Sequence, residues 1–355
     1  MLFPNDGHVA WLVVLQVGSS RSLSFFMITV AYALLWLATV AHAVASAHPL
    51  SGTGGSEPVP IQAPALPMSQ LLHIAGPQCL TEPTIVMSFD GLTMAFGCST
   101  ESLVFILAAK HVDGQFELVD TLRPSDGAVG DWYGSSIAFS SSHFVVGASW
   151  ANSVGLHSGA AYMYTRVNQS DPFSKWVETQ KLVPSDNAEK DEFGLCVFLF
   201  GDTAVISAMF ARPAGAVYVF VHSNPADPMS RWDQTATLVP TDLSDGAGFG
   251  AGVSLYNNTL AVGALWDMDK IGSAYIYVRT NASDLRSGWV QTKKLVPESN
   301  VNAEWFGINL DVYGDVVVIG SVYHDAGATK TGRATVFARN SSLDRSEERR
   351  VGKEC

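Results

Sequence analysis

The stretch KLVPSDNAEKDEFG, residues 181–194, recurs three more times along the chain. Its other copies are TLRPSDGAVGDWYG from Thr121, TLVPTDLSDGAGFG from Thr237 and KLVPESNVNAEWFG from Lys294. Every copy ends in an aromatic–glycine pair, and successive pairs lie 60, 56 and 57 residues apart. Because a period of this length is the mark of tandem structural units, the repeat decides the fold before any single motif does.

Four short strands are predicted in each unit. The segment after each aromatic–glycine pair alternates in polarity, which indicates a half-buried first strand, and a two-residue turn follows it. The second strand (FVVGA, AVISA, LAVGA and VVIGS) is almost wholly apolar, which indicates burial on both faces. Small residues at its end predict close backbone packing; they are Gly147, Ser207, Gly263 and Gly320. A third strand begins with glycine (GAAYMY, GAVYVF, GSAYIY, GRATVF), and a fourth begins at Trp176, Trp232 and Trp289.

A fainter unit precedes these four. The segment Thr93–Cys98 matches the second strand, Leu103–Ile106 matches the third, and Phe116 stands where the tryptophans stand. The last unit is expected to end after its third strand. Tandem four-stranded units of this kind predict an all-β protein with a β-propeller fold, and a β-sandwich is the alternative. The predicted units lie near residues 80–122, 123–182, 183–238, 239–295 and 296–340.

The aromatic–glycine pair, the V-G-A segment and the G-[AS]-A-Y strand resemble the FG-GAP repeat, which forms the β-propeller of integrin α-subunits and of many extracellular proteins. The resemblance covers residues 80–340, within a predicted propeller domain at 79–344. It implies propeller blades and a function outside the cell. Propellers of that family usually have seven blades, so the five units are expected to be an incomplete set.

The resemblance also raises the question of calcium, which the family often binds through a D-x-D-x-D-G-x-x-D loop in the first hairpin of a blade. That hairpin has only two residues here, Gly201-Asp202 in one unit and Asn257-Asn258 in another, and the motif is absent from the chain. We therefore expect no cofactor. Weaker metal candidates are Asp186 with Asp191 and Asp267 with Asp269, although acidic residues in β connectors usually cap turns and stay solvated.

Composition and the chain ends bear on localisation. The net charge of −12 argues against nucleic-acid binding, which needs clustered Lys and Arg.

Residues 1–47 contain a long apolar run that ends in Ala45-Ser46-Ala47, so they are expected to be a cleaved signal peptide or a retained anchor. Residues 48–78 form a Pro-, Gly- and Ser-rich linker. Residues 345–355 resemble a translated sequencing adapter, with a charged tail as the alternative.

Both interpretations of the N-terminal segment predict a secreted or cell-surface protein, which would touch a membrane only through that segment. Two further features agree with this prediction. Cys79 and Cys98 could pair as a disulfide in an oxidising compartment. N-glycosylation sequons begin at four positions, Asn168, Asn257, Asn281 and Asn340.

The search for functional residues favours binding over catalysis. The histidines are scattered and no catalytic sequence motif is present, so no catalytic residue and no enzymatic activity are predicted. The repeated tryptophans are predicted to pack between blades. Loops between the second and third strands vary in length and carry the binding candidates Trp150, Trp266, Tyr323, His324 and Asp325.

The sequence therefore predicts an extracellular or cell-surface binding module, of the adhesion type, that recognises a protein or glycan through its propeller loops. Two alternatives stay open: a propeller-scaffold hydrolase or lyase acting on an extracellular substrate, and a purely structural repeat domain.

Overall fold

Five four-stranded antiparallel sheets make up the fold, seen here in a computed structural model. The structure describes residues 79, 83–87, 91–111, 114–140, 142–297, 304–323, 332–339 and 348–350. The predicted segments 1–47 and 48–78 lie outside these residues, and so do the candidates His324, Asp325 and Asn340. Among the residues that the structure describes, none belongs to a helix that is both long and apolar enough to cross a membrane.

The sheets follow one another along the chain, and we call them blades 1 to 5. Blade 1 contains β1 (Pro83–Met87), β2 (Thr93–Cys98), β3 (Leu103–Ala108) and β4 (Glu117–Leu122). Blade 2 contains β5 (Tyr133–Phe139), β6 (His143–Ala148), β7 (Ala160–Arg166) and β8 (Trp176–Leu182). Blade 3 contains β9 (Val197–Phe200), β10 (Thr203–Ala208), β11 (Ala216–His222) and β12 (Trp232–Leu238). Blade 4 contains β13 (Phe249–Tyr256), β14 (Thr259–Ala264), β15 (Ser273–Arg279) and β16 (Trp289–Leu295). Blade 5 contains β17 (Phe306–Tyr313), β18 (Val316–Ser321), β19 (Arg333–Arg339) and β20 (Glu348–Arg350).

Within each blade the strands pair in chain order, so the predicted four-strand unit is confirmed. A β-bulge shifts the register between the third and fourth strands of blades 1 to 4, for example between Met163 and Tyr164. A threonine three residues after each tryptophan donates its hydroxyl to the carbonyl of the bulge at 3.2–3.3 Å; the pairs are Thr179–Met163, Thr235–Val219 and Thr292–Ile276. The tryptophan strand is thus fixed in register by its own side chains.

The aromatic–glycine pairs form the seams between blades. Their aromatic residues are fully buried: Tyr133, Phe193, Phe249 and Phe306. The glycine of each pair has φ between +91° and +97°, which favours glycine. The carbonyls of Gly134, Gly194 and Gly307 lie against the end of the second strand of the preceding blade. A Cβ on Gly147 would stand 1.9 Å from the carbonyl oxygen of Gly194, and one on Gly263 would stand 1.8 Å from that of Gly307. The predicted close approach is therefore confirmed at Gly147, Ser207 and Gly263, whereas at Gly320 the nearest atom is 3.5 Å away.

The hydrophobic core is a series of layers, each shared by two consecutive blades. One layer combines Val145 and Met163 of blade 2 with Phe193, Ile206 and Tyr218 of blade 3. The second strands are buried along their whole length in blades 1 to 4, as their apolar runs predict. A single blade would expose these apolar faces to water, so the blades depend on stacking against one another for stability.

A disulfide and a short C-terminal strand add to the packing of the blades. The structure joins Cys79 to Cys98, the predicted pair, by a disulfide that ties the segment before blade 1 to the end of β2. The expected absence of a fourth strand in blade 5 is wrong, because Glu348–Arg350 pairs with β19. These three residues belong to the C-terminal segment 345–355. The free edge of β19 offers backbone donors and acceptors that any extended segment can occupy.

Candidate functional site

Antiparallel pairing gives every blade two distinct ends. We call one the loop end; it carries the loops between second and third strands and the connectors from one blade to the next. The other is the turn end; it carries the two-residue turns between first and second strands and the loops between third and fourth strands. The predicted binding residues lie at the loop end. The histidine residues His143 and His222 lie at the turn end, where β6 begins and β11 finishes.

The acidic residues of the connectors mostly serve the connectors themselves. Asp131 and Asp191 each accept a hydrogen bond at 2.8 Å from the backbone three residues earlier, which closes the same turn in two units. Asp126 accepts from the Tyr162 hydroxyl at 2.8 Å and pairs with Lys181 at 2.7 Å. Asp186 accepts from Tyr218 in the equivalent way. These contacts favour a structural role for Asp186 and Asp191 over a metal site.

Asp267 and Asp269 do not form a chelating pair either. Asp267 is buried, and its carboxylate contacts Lys294 at 2.8 Å and the Ser273 hydroxyl at 2.7 Å. Asp269 is exposed on a single helical turn, Asp267–Lys270, in which it has φ of +56°. The negative charge of Asp267 is therefore already balanced by a lysine, and its neighbour Asp269 faces solvent.

An aromatic residue follows the second strand at the same position in four blades. These residues are Trp150, Phe210, Trp266 and Tyr323, of which the sequence analysis singled out all but Phe210. The backbone nitrogen of three of them donates to the connector: Trp150 to Asp131, Trp266 to Ala247 and Tyr323 to Glu304. The repeat thus places an aromatic ring over each connector, and Phe210, with 41% of its surface exposed, completes the set.

The residue just before each aromatic–glycine pair shares one backbone conformation. It has left-handed φ in every case: Trp132 at +58°, Glu192 at +53°, Gly248 at +70° and Trp305 at +57°. Glycine suits that conformation, whereas a bulky residue there costs on the order of 1 kcal/mol. Trp132 stacks on Trp150 with ring centroids 4.2 Å apart, and Trp305 contacts Tyr323 at 4.5 Å. Sequence reasoning missed Trp132 and Trp305, because the period alone does not show their backbone conformation.

Blade 2 carries the most developed aromatic group of the loop end. The indole of Trp150 lies between Trp132 and the imidazole of His157, whose centroid is 4.7 Å away. We call these three residues the aromatic stack. Trp150 also donates a hydrogen bond to Glu192 of the next connector. Burial raises the pKa of the Glu192 carboxyl, and the charge of His157 and the hydrogen bond from Trp150 act in the opposite direction.

A cleft of about 780 Å³ opens beside the aromatic stack, between blades 2 and 3. Its walls come from His157, from the connector residues 186–192, from the loop after β10 and from strand residues of blade 3. The stretch on which the repeat was recognised therefore forms one wall. Ionisable residues dominate this lining, with four acidic and two basic side chains: Asp186, Glu189, Asp191, Glu192, Lys190 and Arg212. The cleft thus offers aromatic surface together with an excess of negative charge.

The turn end contains an arrangement that looks like a Ser-His-Asp triad. The Ser230 hydroxyl lies 2.9 Å from His222 Nε2, and Asp202 Oδ1 lies 3.1 Å from His222 Nδ1. Ser230, however, closes its own loop by bonding the backbone of Asn224, as Ser287 does with Asn281. The His222 ring is buried against Trp232. The serine is therefore a loop residue of the repeat, and this geometry lends no support to nucleophilic catalysis.

The remaining predicted residues have simple surroundings. The side chains of Trp176 and Trp232 are buried, and those of Arg166, His222 and Arg279 stack on the three repeated tryptophans, which agrees with a packing role. The sequon residues Asn168, Asn257 and Asn281 are exposed. Their glycosylation stays a prediction.

Comparison with known proteins agrees with this geometry. The FG-GAP repeat family matches the chain at four consecutive stretches, residues 116–164, 176–220, 232–277 and 289–337, so the chain belongs to the FG-GAP repeat family. Each matched stretch begins with the fourth strand of one blade and continues through the third strand of the next.

Among solved structures, a crystal structure of a protein from Lactobacillus plantarum, determined by structural genomics, has a similar fold. The TM-score is 0.52 at 13% sequence identity, over 77% of this chain and 71% of that one. At this level of identity the likeness concerns the fold alone. No curated protein matches the chain significantly.

Proposed function

We propose that this chain is an extracellular or cell-surface binding module that captures a segment of a protein ligand at its loop end. The observation that carries the proposal is the convergence of exposed Phe210, His157 of the aromatic stack and a net acidic connector on one cleft. Aromatic anchors with charged residues around them are typical of protein recognition sites. The binding step needs no covalent chemistry.

The charge of the cleft suggests which ligand side chains it accepts. Four carboxylates against two cations favour a ligand segment with Lys or Arg, and the rings of His157 and Phe210 offer apolar and π surface beside those carboxylates. The overall charge of −12 would attract such a segment from a distance. The Cys79–Cys98 disulfide and the exposed sequon residues support a location in the secretory pathway.

The proposal is tested with the full chain on two arrays, one of synthetic peptides rich in Arg, Lys and aromatic residues and one of oligosaccharides. We expect binding to basic peptides that weakens about tenfold or more in Phe210→Ser, because an exposed anchor is lost while the core is left intact. The matched control is Val167→Ser, which changes an exposed apolar residue at the turn end. Binding only to oligosaccharides would refute the choice of a protein ligand, and no binding on either array would favour a purely structural domain.

A further inference from the structure

Three of the four boundaries between blades share one polar link at the turn end. An arginine that finishes the third strand of one blade donates to a threonine that begins the second strand of the preceding blade. The pairs are Arg166–Thr93 at 2.6 Å, Arg279–Thr203 at 3.2 Å and Arg339–Thr259 at 3.5 Å. The two later arginines also bond the side chain of the residue in the adjacent two-residue turn, Asn258 or Asp315. The repeat therefore builds an Arg–Thr link at three of the four boundaries.

The boundary between blades 2 and 3 departs from this rule at three positions together. His222 stands where blades 2, 4 and 5 have arginine, and His143 stands where blades 1, 3 and 4 have threonine. Thr165, the cross-strand partner of His143, replaces an apolar residue, which is Val221, Val278 or Ala338 elsewhere. The two imidazole rings meet with centroids 4.6 Å apart. Because the three substituted positions lie together, they indicate that this boundary has a different function from the other three.

The changed residues form a compact set of metal-ligand atoms. His222 Nδ1 lies 3.1 Å from Asp202 Oδ1, and one ligand atom each from His143, Asp202 and His222 lie within 4.8 Å of one another. Two imidazole nitrogens and one carboxylate oxygen are a donor set typical of Zn²⁺, which in such sites keeps a further position open for water. The ligands come from both blades, since His143 belongs to β6 and the other two belong to blade 3.

Each histidine is already held by a hydroxyl on its other ring nitrogen. His143 Nδ1 lies 3.1 Å from the Thr165 hydroxyl, which itself donates to the carbonyl of Pro228. The Thr165 oxygen therefore accepts from Nδ1–H, and this leaves the lone pair of His143 on Nε2. Metal-bound histidines are held in this way, with the second nitrogen donating to a fixed acceptor that sets the tautomer.

The same reasoning applies to His222. The Ser230 hydroxyl donates to the carbonyl of Asn224 at 3.1 Å, as Ser287 does to Asn281, so it accepts from His222 Nε2–H at 2.9 Å. The lone pair on Nδ1 then faces the Asp202 carboxylate at 3.1 Å. A proton on Nδ1 or a metal ion held by both atoms satisfies this pair. A metal ion would take Nδ1 and the carboxylate together and leave the contact of Nε2 with Ser230 intact.

Burial and access also suit a metal site. Both imidazoles are 2% exposed, whereas the Asp202 side chain is 31% exposed, so the carboxylate provides a way in from the turn end. We propose that His143, Asp202 and His222 form a zinc site that links blade 2 to blade 3, in place of the Arg–Thr link of the other boundaries. The site lies at the end of the blades opposite the proposed ligand cleft, and so the two proposals stand or fall separately.

The experiment is a titration of the chelator-treated full chain with ZnCl₂, followed by calorimetry and by competition with a chromophoric chelator. We expect one Zn²⁺ per chain. The key variant is the double substitution His143→Thr and His222→Arg, which installs the residues used at the other boundaries and is therefore expected to fold. It should bind Zn²⁺ at least about 100-fold more weakly, since two of three ligands are gone. Asp202→Asn, the residue found in blade 4, should weaken binding about tenfold or more.

Two further measurements make the result decisive. Zn²⁺ should raise the melting temperature of the wild-type chain and leave that of the double variant unchanged, because a ligand stabilises only a state that binds it. His111→Gln, which removes an exposed histidine elsewhere, should bind as the wild type does. The proposal is overturned if the folded wild type binds no Zn²⁺, or if the double variant binds it with unchanged affinity.

Discussion

The seams between blades and the rings of the loop end lie a few residues apart in the chain, yet they follow opposite rules. At each seam every copy keeps a buried aromatic residue and a glycine with the same backbone conformation. One residue earlier, the chain has Trp132, Glu192, Gly248 or Trp305 in one shared conformation that only glycine adopts without strain. The constant positions carry stacking of the blades. The variable positions retain strain that packing does not require, which is typical of functional surfaces.

The largest expected effect tests the seam itself. Gly263→Ala would place a methyl group 1.8 Å from the carbonyl oxygen of Gly307, and the three nearest atoms all belong to the backbone, which cannot move aside as a flexible side chain can. We expect a loss of about 3 kcal/mol or more in the free energy of unfolding, measured by urea denaturation. Gly320→Ala is the matched control at the same repeat position, because its nearest neighbour is 3.5 Å away. Similar losses in both variants would show that close approach at the seam is not what selects glycine.

The second effect compares one lysine position beneath the loop end in two blades. Lys294 contacts Asp267, whose side chain is 4% exposed, whereas Lys181 contacts Asp126, whose side chain is 54% exposed. Lys294→Met leaves a buried carboxylate without its cation and should cost about 2–3 kcal/mol. Lys181→Met removes a solvated ion pair and should cost less than about 1 kcal/mol. Thermal and urea unfolding of both variants would reject the burial argument if the two losses were equal.

The third effect concerns pH and a carboxyl group at the seam between blades 4 and 5. Burial raises the pKa of Asp311 to about 6, although hydrogen bonds from the Ser254 hydroxyl and from the backbone of Val312 partly oppose the shift. A carboxyl whose pKa rises on folding holds its proton more tightly in the native state. Its contribution to stability is therefore complete at low pH and is lost as the pH rises from about 4 through 6.

Asp311→Asn should remove that loss, because the amide keeps an acceptor for Ser254 and carries no charge. We expect the variant to exceed the wild type in stability by about 1–2 kcal/mol at pH 7, with the difference shrinking toward pH 4. Urea denaturation at a series of pH values measures it. A difference in stability that stays constant over this range would mean that the pKa of Asp311 is the same in the folded and unfolded states.

The two regions also differ in how far their sequence predicts them. The seam was predictable from three recurring features: the aromatic–glycine pair, the small residue that ends the second strand, and the tryptophan strand. Together they predict the four-stranded blade, the order of its strands and the burial of its residues. Contacts that run from one blade to the next were not, because a period shows which positions share an environment but not which positions face each other. His143 and His222 occupy different strand positions in successive units, so only stacking of the blades brings their rings together.

The loop end was predictable in part for the same reason. Trp150, Trp266 and Tyr323 stand out by residue type, whereas Phe210 holds the same position and was passed over. The left-handed residue before each seam gives no compositional signal, since Trp, Glu and Gly share it. The side-chain partners of the acidic candidates, such as Lys294 and Tyr218, could not be predicted because they come from other strands.

The smallest expected effect separates strain from function at that left-handed position. Glu192→Gly gives blade 3 the residue that blade 4 has at Gly248, and it relieves the backbone strain at φ +53°. Part of this gain is offset by the greater freedom of glycine in the unfolded chain, so the free energy of unfolding should rise by only about 0.5 kcal/mol. The variant also removes a carboxylate from the cleft and the hydrogen-bond acceptor of Trp150. Binding of basic peptides should therefore weaken while stability increases, a trade between stability and function.

Unfolding in urea and peptide affinity, measured on the same preparation, distinguish this account from its rival. If Glu192 mainly supports the connector through Trp150, the variant should lose stability, and peptide affinity should fall only with the folded fraction. Lys190→Gly is the matched control, because Lys190 also has left-handed φ, at +69°, and lines the same cleft with the opposite charge. It should gain similar stability but bind basic peptides more tightly, since it removes a repelling cation. If the two variants gain equal stability but change peptide affinity in opposite directions, the charges at positions 190 and 192, and not the backbone strain, determine peptide binding.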